Sequence, residues 1–166
     1  MTKIEQLLDE YGASHQNPIN KIIHWICVPS IIISLMGLIW SLPVPAFMEN
    51  VQLGPMSLNW VVLFIVASLI YYFSLSFSLA IGMIFLITIL ISAGYLLSTY
   101  IPLPLWVTSL ILFTLAWIGQ FWGHKVEGKK PSFLKDIQFL LIGPVWLLSF
   151  IYIKLGIPYS GTSSNR

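Results

Sequence analysis

Three histidines are the residues of this chain best placed for chemistry, and all three stand where polar sequence meets apolar sequence. His15 and His24 lie in SHQNPINKIIHWICVP, Ser14 to Pro29, at the entrance of an apolar run. His124 lies in GQFWGHKVEGKKP, residues 119–131, at the exit of another. In the first block Asn17 followed by Pro18 predicts a helix start, with Asn as the cap and Pro in the first turn. Asn20 and His24 are four apart and share a face of that helix. The turn before it lets His15 fold back towards His24. In the second block Gln120, His124 and Glu127 follow at spacings of four and three, again one helix face. Gly119 and Gly123 flank that face, and residues so small let another helix approach closely.

Neutral imidazole is the commonest transition-metal ligand, and a carboxylate is its usual companion at non-haem iron. His15, His24 and His124, with or without Glu127, would leave positions open for oxygen and a substrate. The same donors suit zinc, whose chemistry would be hydrolysis. Plainer uses exist for each group. A histidine at headgroup level can serve as an interfacial hydrogen-bonder, Gln120 can bond a neighbouring helix, and Glu127 can pair with Lys130 on a solvated surface.

The elements that must position these residues are membrane helices. Of the 166 residues 57% are hydrophobic and 8% charged, against about 25% charged in a soluble domain. No Asp, Glu, Lys or Arg occurs between Glu49 and Lys125. A water-soluble surface cannot be covered that way. Apolar runs long enough to span fall at about 22–42, 58–76, 79–100, 103–123 and 137–155, at roughly 20 residues per crossing. Residues 58–100 would stretch about 65 Å as one helix, twice the hydrocarbon thickness. They must therefore fold back, near Ser74, Ser76 and Ser78. The expected fold is all-α: one polytopic membrane helix bundle over residues 1–166, with about five transmembrane helices. A short N-terminal amphipathic helix precedes them, because Ile4, Leu7, Leu8 and Tyr11 recur at helical spacing. It reads as a helix lying in the membrane interface, or as a lid over a site.

Counting crossings places His15, His24 and His124 on the same side as the N-terminus. Lys3, Lys21, Lys125, Lys129, Lys130 and Lys135, six of the eight Lys and Arg residues, fall there too. By the positive-inside rule that side is cytoplasmic. Lys154 and Arg166 join it only if the fifth segment dips in and returns. Trp25, Trp122 and Trp146 suit an interfacial, lipid-facing belt. The polar first 21 residues predict insertion directed by the first span. The single cysteine, Cys27, excludes an internal disulfide and reads as a small packing residue. A net charge of +2 is too small to imply nucleic acid.

The two blocks HQNPINKIIHWICVP and WIGQFWGHKVEGKKP, with the apolar span after the second, resemble the yeast 2-hydroxy fatty acid dioxygenase family of small multi-pass membrane proteins. The resemblance runs nearly the whole chain in order. It implies an iron(II)-dependent enzyme of fatty acid α-oxidation. Its partners are a 2-hydroxy fatty acid and O₂, and its product is a fatty acid one carbon shorter, with CO₂. The family's histidines carry over onto His15, His24 and His124. Its acidic residue stands one place further from the histidine than Glu127 does. Glu127 is thus left as a ligand, a neighbour of one, or neither. Asn17, Asn20 and Gln120 match as supporting residues, and Lys125, Lys129 or Lys130 could draw in an anionic headgroup. The acyl tail would lie among membrane lipids between the helices. A non-enzymatic lipid-binding or membrane-organising protein is the competing reading. A transporter fits poorly, since the spans carry no charge. The C-terminal GTSSNR carries no retrieval signal, which points to a bacterial inner membrane, with the endoplasmic reticulum as the alternative.

Overall fold

The computed structural model describes residues 1–53, 56–130 and 138–159. Pro131, Lys135, Arg166 and the GTSSNR tail lie outside them. The described chain forms seven helices and one minimal hairpin, and four of the helices begin at a polar side-chain cap. In α1 (Lys3–Gly12) Thr2 and Glu5 close a capping box, each side chain bonding the other's main-chain N–H. In α2 (Pro18–Trp40) the Asn17 side chain accepts from the Ile19 N–H at 2.9 Å, with Pro18 in the first turn. After the Leu42–Pro45 break come α3 (Ala46–Glu49) and two paired two-residue strands, β1 (Gln52–Leu53) and β2 (Met56–Ser57). Asn59 caps α4 (Trp60–Leu75), and Ser76, in extended backbone, ends α4 and caps α5 (Phe77–Tyr100). The reversal thus falls at the middle serine of the three expected. The Pro102–Pro104 break leads to α6 (Leu105–Glu127), which stops at Gly128 in the left-handed region, φ 72°. The last helix is α7 (Phe139–Leu155).

The expected all-helical bundle is present, but the number of full-length spans is lower than five. Among the described residues, only α2, α5 and α6 are long and apolar enough to cross a membrane. The 16 residues of α4 and 17 of α7 reach about 24 and 26 Å, short of a hydrocarbon core of about 30 Å.

The course of α7 differs from that of a span. Its N-terminal turn meets the end of α4, where the Tyr72 hydroxyl donates to the Leu141 carbonyl at 2.9 Å. Its middle meets the start of α2, with Gly143 against Val28 and Phe150 beside Trp25. Its last turn meets the start of α5, where the Tyr152 hydroxyl donates to the Ser78 carbonyl at 2.8 Å. All of these contacts fall at the one end of the bundle that carries the histidines, so α7 lies across that end. Helix α1 packs on α7 from outside and buries Ile4, Leu7, Leu8 and Tyr11. The amphipathic stripe therefore faces protein, and α1 covers the site.

Candidate metal centre

The most extensive helix pairing, α2 with α6, is made possible by glycines, two of which lie near the histidines. A Cβ at Gly119 would stand 2.7 Å from the Cys27 sulfur, and one at Gly123 would strike the Asn20 Oδ1. The backbones can approach because those atoms are missing. This close approach brings His24, in the second turn of α2, beside His124, in the last turn of α6. The connector between α1 and α2 folds His15 between them.

The three rings are buried, with centroids 4.2 Å apart for His15 and His24, 4.8 Å for His15 and His124, and 5.0 Å for His24 and His124. One nitrogen from each forms a set within 4.8 Å of one another. Main-chain groups determine which nitrogens these are. His15 Nδ1 lies 2.6 Å from the Tyr11 carbonyl, and His24 Nδ1 lies 2.9 Å from the Asn20 carbonyl. A carbonyl only accepts, so both Nδ1 atoms carry hydrogens and both Nε2 atoms are bare. Those two bare Nε2 atoms face each other at 2.8 Å. The buried His124 Nδ1 has no hydrogen-bond partner.

The three rings could therefore offer one nitrogen each to a single cation. A proton would serve badly. Burial, only partly offset by the Tyr11 carbonyl, holds the His15 imidazole down to about 4. A metal ion fits the donor set. Neighbouring donors on one ion, each about 2.0–2.1 Å from it, stand roughly 3 Å apart. Orientation of each ligating ring by a hydrogen bond on its far nitrogen is the usual support of a metal site.

The remaining residues divide into those that hold this set and those that border it. Glu127 stands outside the three-histidine group. Its carboxylate accepts from the Gln16 and Asn17 main-chain N–H groups, both at 2.8 Å, and from the Asn20 amide at 3.1 Å. It clamps the connector that carries His15 onto the end of α6, and these are amide partners rather than Lys130. Asn20, fully buried, donates to the Ser14 carbonyl at 3.3 Å and so ties the same connector to α2. Asn17 caps α2. Lys125 is exposed and does not line the cleft beside the histidines, whereas the Lys129 ammonium donates to the Ala13 carbonyl at 2.7 Å. Gln120 does line that cleft, buried, with its Oε1 unpartnered.

Two aromatic positions correct or extend the reading of the sequence. Trp146, expected at the lipid belt, is 5% exposed and packs 5.1 Å from His15, because α7 turns it inward. Trp25 and Trp122 are exposed, 42% and 56%. Tyr11 was unremarked beyond its place on an apolar stripe. It stacks on His15 at 4.2 Å and 9°, and burial pushes its phenol up, keeping it neutral. No spacing in the chain could reveal this, since it depends on α1 folding over the bundle end.

No solved structure matches the chain. A curated relative, the 2-hydroxy-palmitic acid dioxygenase MPO1 of Saccharomyces cerevisiae, is 29% identical over 154 residues, covering 88% of this chain and 78% of its own. That relative is eukaryotic and lends no support to a bacterial inner membrane; the apolar helices support the coarser statement, a membrane protein. Residues 1–155 match the family model described as 2-hydroxy-palmitic acid dioxygenase Mpo1-like, and the chain belongs to the Mpo1-like family.

Proposed function

We propose that this protein is an iron(II)-dependent dioxygenase of 2-hydroxy fatty acids. The reaction balances without an added reductant: R–CH(OH)–COOH and O₂ give R–COOH, CO₂ and H₂O. The C1–C2 bond breaks, C2 is oxidised from alcohol to acid, and O₂ takes the four electrons.

The observation that carries this reading is the clustering of three buried imidazoles, one nitrogen of each within 4.8 Å of the others and two of them 2.8 Å apart. His15, His24 and His124 would hold iron(II), which supplies positions where O₂ and the substrate's oxygens can meet. The chain's own groups do the rest. The Tyr11 and Asn20 carbonyls hold protons on the far nitrogens, so the near ones stay available. Tyr11, Trp146 and α1 keep bulk water from the histidines. Val28, Ile31, Ile32 and Trp117 continue the cleft away from the histidines as an apolar wall suited to an acyl tail. The lysines of the N-terminal side favour a cytoplasmic site.

The test is iron content and turnover of full-length protein purified in detergent without chelator. One iron per chain is expected, with O₂ uptake and CO₂ release from 2-hydroxyhexadecanoate. Folded protein that takes up no iron(II) under argon, or that turns over undiminished after iron is stripped, would refute the reading.

A further inference from the structure

The cleft beside the histidines has an order along its length. At the end near α1 stand the three imidazoles. One helical turn deeper on α6 comes Gln120, four residues before His124. Deeper again come Trp117 on α6 and Ile31 and Ile32 on α2, all apolar, with Leu140 and Gly143 of α7 as the third wall. Among the described lining residues, Gln120 stands between the histidines and the largely apolar part. It is 6% exposed, and its Oε1 is buried without a hydrogen-bond partner. A buried acceptor left unpaired is unfavourable, and a ligand that donates to it is favoured over one that cannot.

We propose that Gln120 is the specificity-determining residue for the substrate's 2-hydroxyl, with Oε1 accepting the hydroxyl hydrogen bond. This rests on the reading of the site as a 2-hydroxy fatty acid dioxygenase. An acyl chain lying along the apolar wall with its carboxylate at the histidines presents C2 next after the carboxyl carbon, at the level of Gln120. An unsubstituted fatty acid offers only methylene hydrogens there and leaves Oε1 unpaired. A site built around a buried acceptor rejects the analogue lacking the donor far more strongly than an apolar pocket rejects one methylene. Gln120 also stands apart from the ring-holding hydrogen bonds of His15 and His24, which come from the main chain at Tyr11 and Asn20.

The experiment is anaerobic binding to full-length, iron(II)-supplemented protein in detergent, with iron content measured in parallel. Three probes are compared: 2-hydroxyhexadecanoate, hexadecanoate and 2-methoxyhexadecanoate, whose ether oxygen cannot donate. The wild type is expected to bind the hydroxy acid at least tenfold more tightly than either analogue. Q120L is expected to keep its iron and to lose that preference to below threefold, by weaker binding of the hydroxy acid. Q120N, which retracts the acceptor by one methylene, should do the same. Loss of iron in Q120L and Q120N would overturn the inference, as would a preserved preference. Should neither variant fold, the wild type decides alone: equal binding of the hydroxy and methoxy acids would overturn it. A wild type that binds iron but turns over no 2-hydroxy acid would sink the function proposed above instead, a different outcome from turnover with an unchanged preference in Q120L.

Discussion

Replacing Glu127 separates a clamp from a ligand. Glu127→Ala removes the acceptor of three hydrogen bonds: Gln16 N–H and Asn17 N–H at 2.8 Å, and the Asn20 amide at 3.1 Å. The Gln16 bond is exposed, so water replaces it at little cost. The other two are part-buried, and hydrogen bonds to a charged group contribute about 1.5–3 kcal/mol each. Discounted for partial exposure, the loss is about 2–4 kcal/mol. Glu127→Gln should recover less than half of it, because an amide presents one donor to groups that are themselves donors. The connector that Glu127 clamps also carries His15, so metal affinity should fall about tenfold without vanishing, as for other outer supports of a metal site. Thermal unfolding of metal-free protein in detergent, followed by tryptophan fluorescence, reads the first effect, and iron(II) titration reads the second. A metal-free Glu127→Ala protein as stable as wild type that binds no iron would refute the reasoning, since that is how a lost ligand behaves.

Other outcomes follow from the same geometry. His15 takes up a proton near 6.5 in the unfolded chain but only near 4 when folded, so between those values the unfolded state binds more protons. Metal-free protein should lose stability as pH falls through that window, by up to about 3 kcal/mol at about 1.4 kcal/mol per pH unit, and His15→Gln should flatten the dependence. Gly123→Ala drives a methyl into Asn20 Oδ1 and should cost about 1–3 kcal/mol while weakening metal binding, whereas Gly128→Ala, with nothing near its Cβ but a positive φ, should cost about 1 kcal/mol and spare the metal. Because α7 lies across the histidine end, Lys3→Cys and Lys154→Cys proteins in sealed vesicles should react with an impermeant maleimide from the same side. Labelling from opposite sides would restore a fifth crossing.

Much of this was legible in the chain because it rested on short-range rules. Asn17–Pro18 capped α2, the serines turned α4 into α5, and the glycines at 119 and 123 marked the face on which two helices meet. The histidines could be grouped by counting crossings, since an even number of passages returns the chain to its starting side. Long-range packing was not legible. The 17 largely apolar residues of α7 read alike whether a helix crosses a bilayer or lies across the end of a bundle, and contacts with Ser78, Val28 and Tyr72 decide it. Trp146 was misassigned for the same reason. Glu127 sat on the right helix face, but its carboxylate reaches the main chain of another segment 111 residues away, which no local spacing encodes.

The shortest hydrogen bonds that orient His15 and His24 come from main-chain carbonyls, those of Tyr11 and Asn20. No side-chain replacement at Tyr11 or Asn20 deletes such an acceptor, although it would remove the Tyr11 stacking on His15 or the Asn20 tie to the connector. Vulnerability moves to wherever the backbone trace itself is set, at the close glycine contacts and the carboxylate tie. Variants that loosen the histidine pocket should therefore also fall at residues outside the three-histidine group, such as Gly123 and Glu127.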